Sequence, residues 1–166
     1  MYLVNTKSDI CYAVNVLRQF MSELKHTHSI EAKHVLRYLR GIVGYVMIYA
    51  SSIDMILQEY VDAYWARSTV DRKSTSDCCF TLGSSMVSWC SRKQSSVALS
   101  TAEAKYIALS VAIYEAVWLC KLFADLFDHE IDSTIIHCDN QSFVKLSENL
   151  VFHDKLKHIE IKYHYI

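Results

Sequence analysis

One long helical pattern set among short strand-like segments limits what this chain can fold into. From about Ser100 to Phe127 apolar residues recur at helical spacing, at Tyr106, Ile107, Ile113, Val117, Cys120, Phe123 and Phe127. Strand-like runs of β-branched, aromatic and apolar residues flank it, at 44–50, 55–63, 78–82, 86–90 and 133–138. Because so long an apolar helix needs a broad surface to cover, the pattern predicts an α/β domain with this helix packed across a sheet.

The first quarter of the chain has a helical period instead. Residues 8–23 carry an apolar stripe, and a second helix is predicted at 29–40, ended by Gly41. The predicted inward residues of the second helix are Ile30, Val35, Leu36 and Leu39. We therefore divide the chain into a helical segment at 1–44 and an α/β domain at 45–166.

Composition predicts a folded protein but leaves its partner open. The 166 residues are 52% hydrophobic and 21% charged, which is enough for one packed domain. The formal net charge of −1 argues neither for nor against nucleic acid, because the sign of a local patch matters more than the total. Function therefore has to be inferred from individual sites.

The six cysteines and eight histidines lack the spacing of structural metal sites. No C-x-x-C pair is present, so we expect free thiols in a reducing compartment and no zinc. No N-terminal signal pattern occurs, and no run approaches about 18 apolar residues. We expect an intracellular protein, cytoplasmic or nuclear, without a membrane segment.

Three acidic residues lie where acids are unusual. Asp62 interrupts a strand-like run, Glu103 opens the long helical pattern, and Asp139 follows a strand. Carboxylates fixed by strand ends and a helix are suitable ligands for the two Mg²⁺ or Mn²⁺ ions used in phosphodiester hydrolysis. The pattern makes these three residues candidate metal ligands and catalytic residues.

Each acid also has a purely structural explanation. S-T-A-E at 100–103 is a capping box, which accounts for Glu103 without catalysis. Asp139 could cap a helix predicted at 140–148. Asp62 could be a solvated residue on an edge strand. Spacing alone leaves the catalytic and structural explanations open.

Ordered motifs along the whole chain identify a family. The first part contains M-Y-L-V-N-T-K-S-D-I-C-Y-A-V-N-V-L-R-Q-F-M-S (1–22) and H-V-L-R-Y-L-R-G (34–41). The second contains D-R-K-S-T-S (71–76), V-S-W-C-S-R-K-Q-S-S-V-A-L-S-T-A-E-A (87–104), H-C-D-N-Q-S (137–142) and K-H-I-E-I-K-Y-H (157–164). In this order they resemble the C-terminal part of the Pol polyprotein of copia-type LTR retrotransposons, from the reverse transcriptase tail into the ribonuclease H domain.

The resemblance implies a ribonuclease H-like fold at 45–166, with a mixed sheet flanked by helices, after a helical hairpin from the reverse transcriptase tail. It implies cleavage of the RNA strand of an RNA–DNA hybrid with Mg²⁺, or Mn²⁺, held by Asp62, Glu103 and Asp139. Nearby polar side chains are candidate contacts to backbone phosphates, with a solvated polar face as the alternative: Arg72, Lys73, Ser74, Arg92 and Lys93.

The chain departs from the family's usual pattern around the candidate site. D-A-Y-W-A-R at 62–67 stands where Asp-Ala-Asp-Trp-Ala-Gly is usual, and we expect Arg67 to strain a turn that glycine makes with positive φ. Asp77 and Cys78 replace a usual Gly-Tyr pair. Lys105 replaces a usual second acid in the helix.

The family also takes a fourth carboxylate from a later helix, which the resemblance places beyond Ile166, and Glu160 matches a different position. We therefore expect a C-terminally truncated domain that lacks its last helix, with weak or absent hybrid cleavage. The polymerase metal-binding strands would lie before Met1, so reverse transcription is not expected. The alternative is an inactive remnant of a decayed element that at most binds nucleic acid or a protein.

Overall fold

The computed structural model describes residues 2–49, 56–128 and 133–139. In the first range, helices α1, α2 and α3 span Tyr2–Thr6, Cys11–Arg18 and His26–Gly41, with a 3₁₀ turn at Ser8–Ile10. The other two ranges contain strands β1 Leu57–Tyr64, β2 Thr75–Leu82 and β3 Ser85–Lys93, the long helix α4 Thr101–Phe127 and the short strand β4 Ile135–His137.

The four strands form one mixed sheet in the order β3-β2-β1-β4. Strand β2 pairs antiparallel with both β1 and β3, whereas β4 runs parallel to β1. The connection from β3 back to β4 contains α4, so this helix crosses the sheet. The predicted α/β class with a mixed sheet is confirmed, and the arrangement is consistent with a ribonuclease H-like fold.

The β2–β3 hairpin depends on a glycine. Leu82 pairs with Ser85, so the loop consists of Gly83 and Ser84 only. Gly83 has φ 59°, and such two-residue loops need a residue that adopts positive φ without steric cost. The hairpin predicted from the runs at 78–82 and 86–90 is confirmed, with longer strands than predicted.

Helix α4 begins and ends with recognisable capping residues. The Oγ of Ser100 accepts the backbone N–H of Glu103 at 3.2 Å, which satisfies a donor at the open end of the helix. Asp128, with φ 50°, ends the helix in the left-handed conformation common after a last helical turn. The helix predicted at 100–127 is confirmed.

The same helix covers one face of the sheet and forms most of the core. Two buried clusters lie between α4 and the strands, one including Val61, Ala104, Ile107 and Leu109, the other Leu57, Phe80, Leu119 and Phe123. Within the described ranges, α4 is also the one helix long and apolar enough to cross a membrane. A core helix passes that test too, and here the buried side of α4 packs on β1 and β2.

The N-terminal helices contact the outer strand β3. Asn15 Nδ2 donates to the backbone oxygen of Ser91 at 2.8 Å, and Trp89 Nε1 donates to that of Val4 at 2.8 Å. These bonds attach the helical segment to the sheet. The boundary at residue 44 stays a prediction.

The two predicted N-terminal helices form with different bounds and packing. Helix α2 ends at Arg18 rather than 23, and α3 begins at His26 rather than 29. Ile30 and Leu36 were predicted to face inward, but both are exposed. Because α3 packs chiefly on α2, no surface of the described chain covers these side chains.

The strand predicted at 44–50 is wrong over its described residues, 44–49, which have no strand conformation. The segment contacts the start of β3 through single hydrogen bonds, from Tyr49 Oη to the Met86 oxygen at 2.9 Å and from Ser85 Oγ to the Ile48 oxygen. A strand needs a ladder of backbone partners, which these contacts do not supply. The predicted helix at 140–148 and Glu160 lie outside the described residues.

The turn after β1 places its strain one residue earlier than predicted. Ala66, not Arg67, has positive φ, at 48°. Its N–H donates to the Oγ of the buried Ser74 at 3.1 Å. Arg67 instead lies over the rings of Tyr12 and Tyr64, 4.6 and 4.8 Å from their centroids.

Candidate functional site

The parallel pairing of β1 with β4 brings Asp62 and Asp139 to the same edge of the sheet. Tyr60 pairs with His137, and each acid lies two residues further along its strand direction. Parallel strands have the same direction and rise per residue, so both carboxylates lie at the same height along the sheet. Asp62 lies on a strand flanked by β2 and β4, which contradicts the edge-strand explanation for this residue.

A lysine from α4 lies between these two carboxylates. Lys105 Nζ is 3.4 Å from Asp62 Oδ1 and donates a hydrogen bond to Asp139 Oδ1. The lysine side chain is 10% exposed, whereas those of Asp62 and Asp139 are 46% and 75% exposed. The ammonium group therefore approaches the acids from the protein interior and the acids face solvent.

Asp62, Lys105 and Asp139 form an ion triad in which the opposite charges favour the ionised forms of Lys105 and Asp139. Burial pulls the pKa of Lys105 down, but the hydrogen bond to Asp139 and the charges of both acids together raise it above its usual value. The hydrogen bond from Lys105 lowers the pKa of Asp139. Both shifts favour the charged forms of Lys105 and Asp139, so the hydrogen bond between them joins a positive and a negative group.

Glu103 serves the start of the helix. Its Oε2 accepts the backbone N–H of Leu99 at 2.9 Å, while its own N–H is bonded to Ser100. The predicted capping role of Glu103 is confirmed, except that its carboxylate accepts the N–H of Leu99 rather than that of Ser100. The helix residue that meets Asp62 and Asp139 is Lys105.

An acid missed by the sequence analysis lies on β2. Asp77 is paired with Asp62 across the β1–β2 ladder. Burial, followed by the charge of Asp62, raises the pKa of Asp77, and its buried Oδ1 has no hydrogen-bond partner within the described part of the chain. The sequence feature that could have indicated Asp77 is that it stands where the family usually has a glycine.

These acids line an open cleft of about 680 Å³ on the sheet. The aromatic rings of Tyr60 and His137 stack on one another there, 4.5 Å between centroids. The lining residues are Tyr60, Val61, Asp62, Asp77, Cys78, Cys79, Ile136, His137, Cys138 and Asp139.

The predicted phosphate-contacting residues lie beyond the cleft, on the loop before β2 and the end of β3. Arg72 and Arg92 are exposed, whereas Lys93 Nζ is 2.9 Å from Asp71 Oδ2 in an ion pair. Lys73 is partly exposed. Ser74 differs from the prediction because it is fully buried. The two arginines are therefore the side chains best placed to meet a phosphate.

The arrangement does not fit a pair of Mg²⁺ or Mn²⁺ ions. Two-metal hydrolysis needs a cluster of carboxylates around ions about 3.5–4 Å apart. Among the residues that the structure describes, no three His, Cys, Asp or Glu side chains are grouped as metal ligands. Lys105 already offsets one of the two negative charges of Asp62 and Asp139, and a metal ion beside its ammonium group would be repelled at short range.

Nearly the whole chain is similar to Pol polyproteins of plant transposons. It is 38% identical over 164 residues to the Retrovirus-related Pol polyprotein from transposon TNT 1-94 of Nicotiana tabacum, covering 99% of this chain and 12% of that protein. It is 38% identical over 165 residues to the Pol polyprotein from transposon RE1 of Arabidopsis thaliana, covering 99% and 11%. The Secreted RxLR effector protein 161 of Plasmopara viticola is 46% identical over 120 residues, covering 72% of this chain and 84% of that protein. No protein-family model and no solved structure matches.

Fold and site define an α/β protein in which a crossover helix contacts carboxylates at the ends of parallel strands. Identity of 37–38% to retrovirus-related Pol polyproteins of transposons over 99% of the chain supports its interpretation as a retrotransposon Pol fragment. The chain spans 11–12% of the length of these polyprotein relatives.

Proposed function

We propose that this chain is a ribonuclease H-like domain of retrotransposon origin that binds an RNA–DNA hybrid but does not hydrolyse it. The observation that carries the proposal is Lys105, whose ammonium group contacts Asp62 and Asp139 where hydrolysis would require metal ions. The proposal keeps the ancestry implied by the polyprotein relatives and replaces the expected metal chemistry with an internal ion triad.

The mixed sheet supports the ribonuclease H-like part of the proposal. Three antiparallel strands, a crossover helix and a strand returning parallel to the first are consistent with that fold. Asp62 and Asp139 both contact Lys105 Nζ near the ends of β1 and β4, which supports a shared site for these two acids. The departure that bears on metal binding lies in the helix, where Lys105 stands in place of a usual second acid and contacts both carboxylates.

The arginines support the binding part. Arg92 lies on β3 opposite Ser76, which itself pairs with Ala63 next to Asp62. Two strand spacings of about 4.8 Å separate β3 from β1, so the backbone of Arg92 lies about 10 Å from that of Ala63, and Asp77 of the cleft is nearer, on the intervening strand β2. Arg72, exposed on the neighbouring loop, extends the same positive surface. A backbone phosphate of a bound hybrid can meet either side chain without approaching the acids.

A cleavage assay tests the non-hydrolytic part. The chain is incubated with a hybrid carrying labelled RNA, with Mg²⁺ or Mn²⁺, and the RNA is resolved on a denaturing gel. We expect intact RNA because no metal pair can be held beside Lys105. Metal-dependent cleavage that disappears in Asp62→Asn and Asp139→Asn would overturn this part of the proposal.

A binding assay tests the other part separately. Fluorescence anisotropy with a labelled hybrid at low salt is expected to give saturable binding that weakens with salt. Arg72→Ala and Arg92→Ala should each weaken it by roughly three- to tenfold, because each removes about one phosphate contact. Lys33→Ala, on the exposed side of α3, is the matched control and should leave binding unchanged. Absence of binding at low salt contradicts this part even where the RNA remains intact.

A further inference from the structure

Two cysteines face one another across the β2–β3 hairpin. Cys78 and Cys90 are directly paired in the antiparallel register, and their Sγ atoms are 2.7 Å apart. Directly opposed residues in antiparallel strands have Cα atoms about 4.5–5.5 Å apart, within the range of about 4.4–6.8 Å that a disulfide spans. A bond between these sulfurs, about 2.05 Å long, therefore needs little movement of the backbone.

The surroundings of the pair leave it open to small reagents. Cys78 and Cys90 are only partly buried, although the Cys78 side chain also packs against the core under α4. The hydrogen bond from Cys78 and the charge of Arg92 lower the pKa of Cys90, while the same hydrogen bond and burial raise that of Cys78. Of the two, Cys90 is therefore the cysteine whose pKa shift favours the thiolate that exchange requires.

The resemblance to retrotransposon Pol does not predict this pair. Cys78 stands at a position where the retrotransposon pattern has another residue. Its sequence neighbour Cys79 is opposite Trp89 and has no thiol facing it across the ladder. Adjacent residues of a strand point to opposite faces, so Cys79 provides a chemically identical control on the other side of the sheet.

We propose that Cys78 and Cys90 are a modification site that low-molecular-weight disulfides, such as oxidised glutathione, convert to a cross-strand disulfide. One cysteine thiolate attacks a sulfur of the reagent, expels one reagent thiolate and forms a mixed disulfide. The other cysteine then attacks the protein sulfur of that mixed disulfide and expels the second reagent thiolate. The two cysteine protons end on the two released reagent thiols, and the two electrons lost by the cysteines reduce the reagent.

The test equilibrates the full chain with oxidised glutathione, alkylates the remaining thiols and counts them by mass spectrometry. All six cysteines of the fully reduced chain should be alkylated. After oxidation we expect two fewer, with a linked peptide pair that contains Cys78 and Cys90 and that dithiothreitol separates. Cys79→Ser should retain the link, and Cys90→Ser should lose it and accumulate a mixed disulfide.

Two results would overturn the proposal. One is full alkylation of every cysteine after equilibration with oxidised glutathione. The other is a linked peptide that joins a different pair. If Cys90→Ser is poorly folded by circular dichroism, the peptide map of the unaltered chain decides between these outcomes without it.

Discussion

Lys105 Nζ lies 3.4 Å from Asp62 Oδ1 and is hydrogen-bonded to Asp139 at the same time. One residue of α4 thus connects the helix to two neighbouring parallel strands. The lysine is largely buried, whereas its two partners face solvent. The attraction that holds the triad together therefore depends on the charge of this one lysine.

Reversing that charge should convert the triad into an acidic site. Lys105→Glu places a third carboxylate beside Asp62 and Asp139, so we expect a lower melting temperature that Mn²⁺ raises again. An ion present at about 100 times its Kd stabilises by about 2.7 kcal/mol. Thermal unfolding with and without millimolar Mn²⁺ measures the effect.

The matched control is Lys105→Met, which removes the charge without adding a ligand. It should be destabilised by only about 1 kcal/mol, since water reaches both acids, and should not respond to Mn²⁺. If Mn²⁺ does not raise the melting temperature of Lys105→Glu either, a side chain at position 105 cannot complete a metal site with Asp62 and Asp139.

Glu103 should matter for the helix and not for metal binding. Glu103→Gln removes a negative charge from the first turn of α4, where the helix dipole favours it, and should lower the free energy of unfolding by about 0.5–1 kcal/mol. Chemical denaturation measures this change. Asp125→Asn removes the same charge from the last turn and should stabilise slightly. Equal changes in stability from the two substitutions would contradict the dipole argument. For metal binding, the double variant Glu103→Gln/Lys105→Glu should still be stabilised by Mn²⁺.

The buried Glu59 should make stability depend on pH. It is fully buried on β1, neither of its carboxylate oxygens has a hydrogen-bond partner in the described ranges, and burial raises its pKa from 4.5 to about 8. Between these two pH values the folded chain holds a proton that the unfolded chain has lost. The free energy of unfolding therefore falls as pH rises from about 4.5 to about 8, by at most on the order of 5 kcal/mol from this group.

Denaturation at a series of pH values checks this prediction. Glu59→Gln has nearly the same shape and cannot titrate, so its stability should change less over the same pH interval. Parallel curves for the two proteins would show that Glu59 does not titrate in this interval.

The turn after β1 offers a stabilising substitution. Ala66 has φ 48°, a conformation that costs a residue with a Cβ about 1 kcal/mol and costs glycine little. Ala66→Gly should therefore raise the free energy of unfolding by up to about 1 kcal/mol, less the extra flexibility that glycine gives the unfolded chain. Arg67→Gly, at the neighbouring position without positive φ, is the control and should destabilise. The reverse order in urea denaturation would place the strain at Arg67.

Much of the fold follows from local patterns. The helix at 100–127 and its capping Ser100, the hairpin closed by Gly83 and the strand that contains Asp62 each depend on periodicity or turn chemistry within a short stretch. The failed strand at 44–49 has a similar apolar pattern, but a strand also needs partners, and no pattern within one segment shows whether a neighbouring strand will supply them.

The amino-acid sequence by itself determined the α/β class, the order of the acids along the chain and the family. Only the tertiary structure decided which residue of α4 meets Asp62 and Asp139. Glu103 and Lys105 are two positions apart, and side chains with that spacing leave a helix in nearly opposite directions. Both are buried at the start of α4, where Glu103 accepts the N–H of Leu99, and the way α4 packs on the sheet directs Lys105, with its positive charge, to the acids.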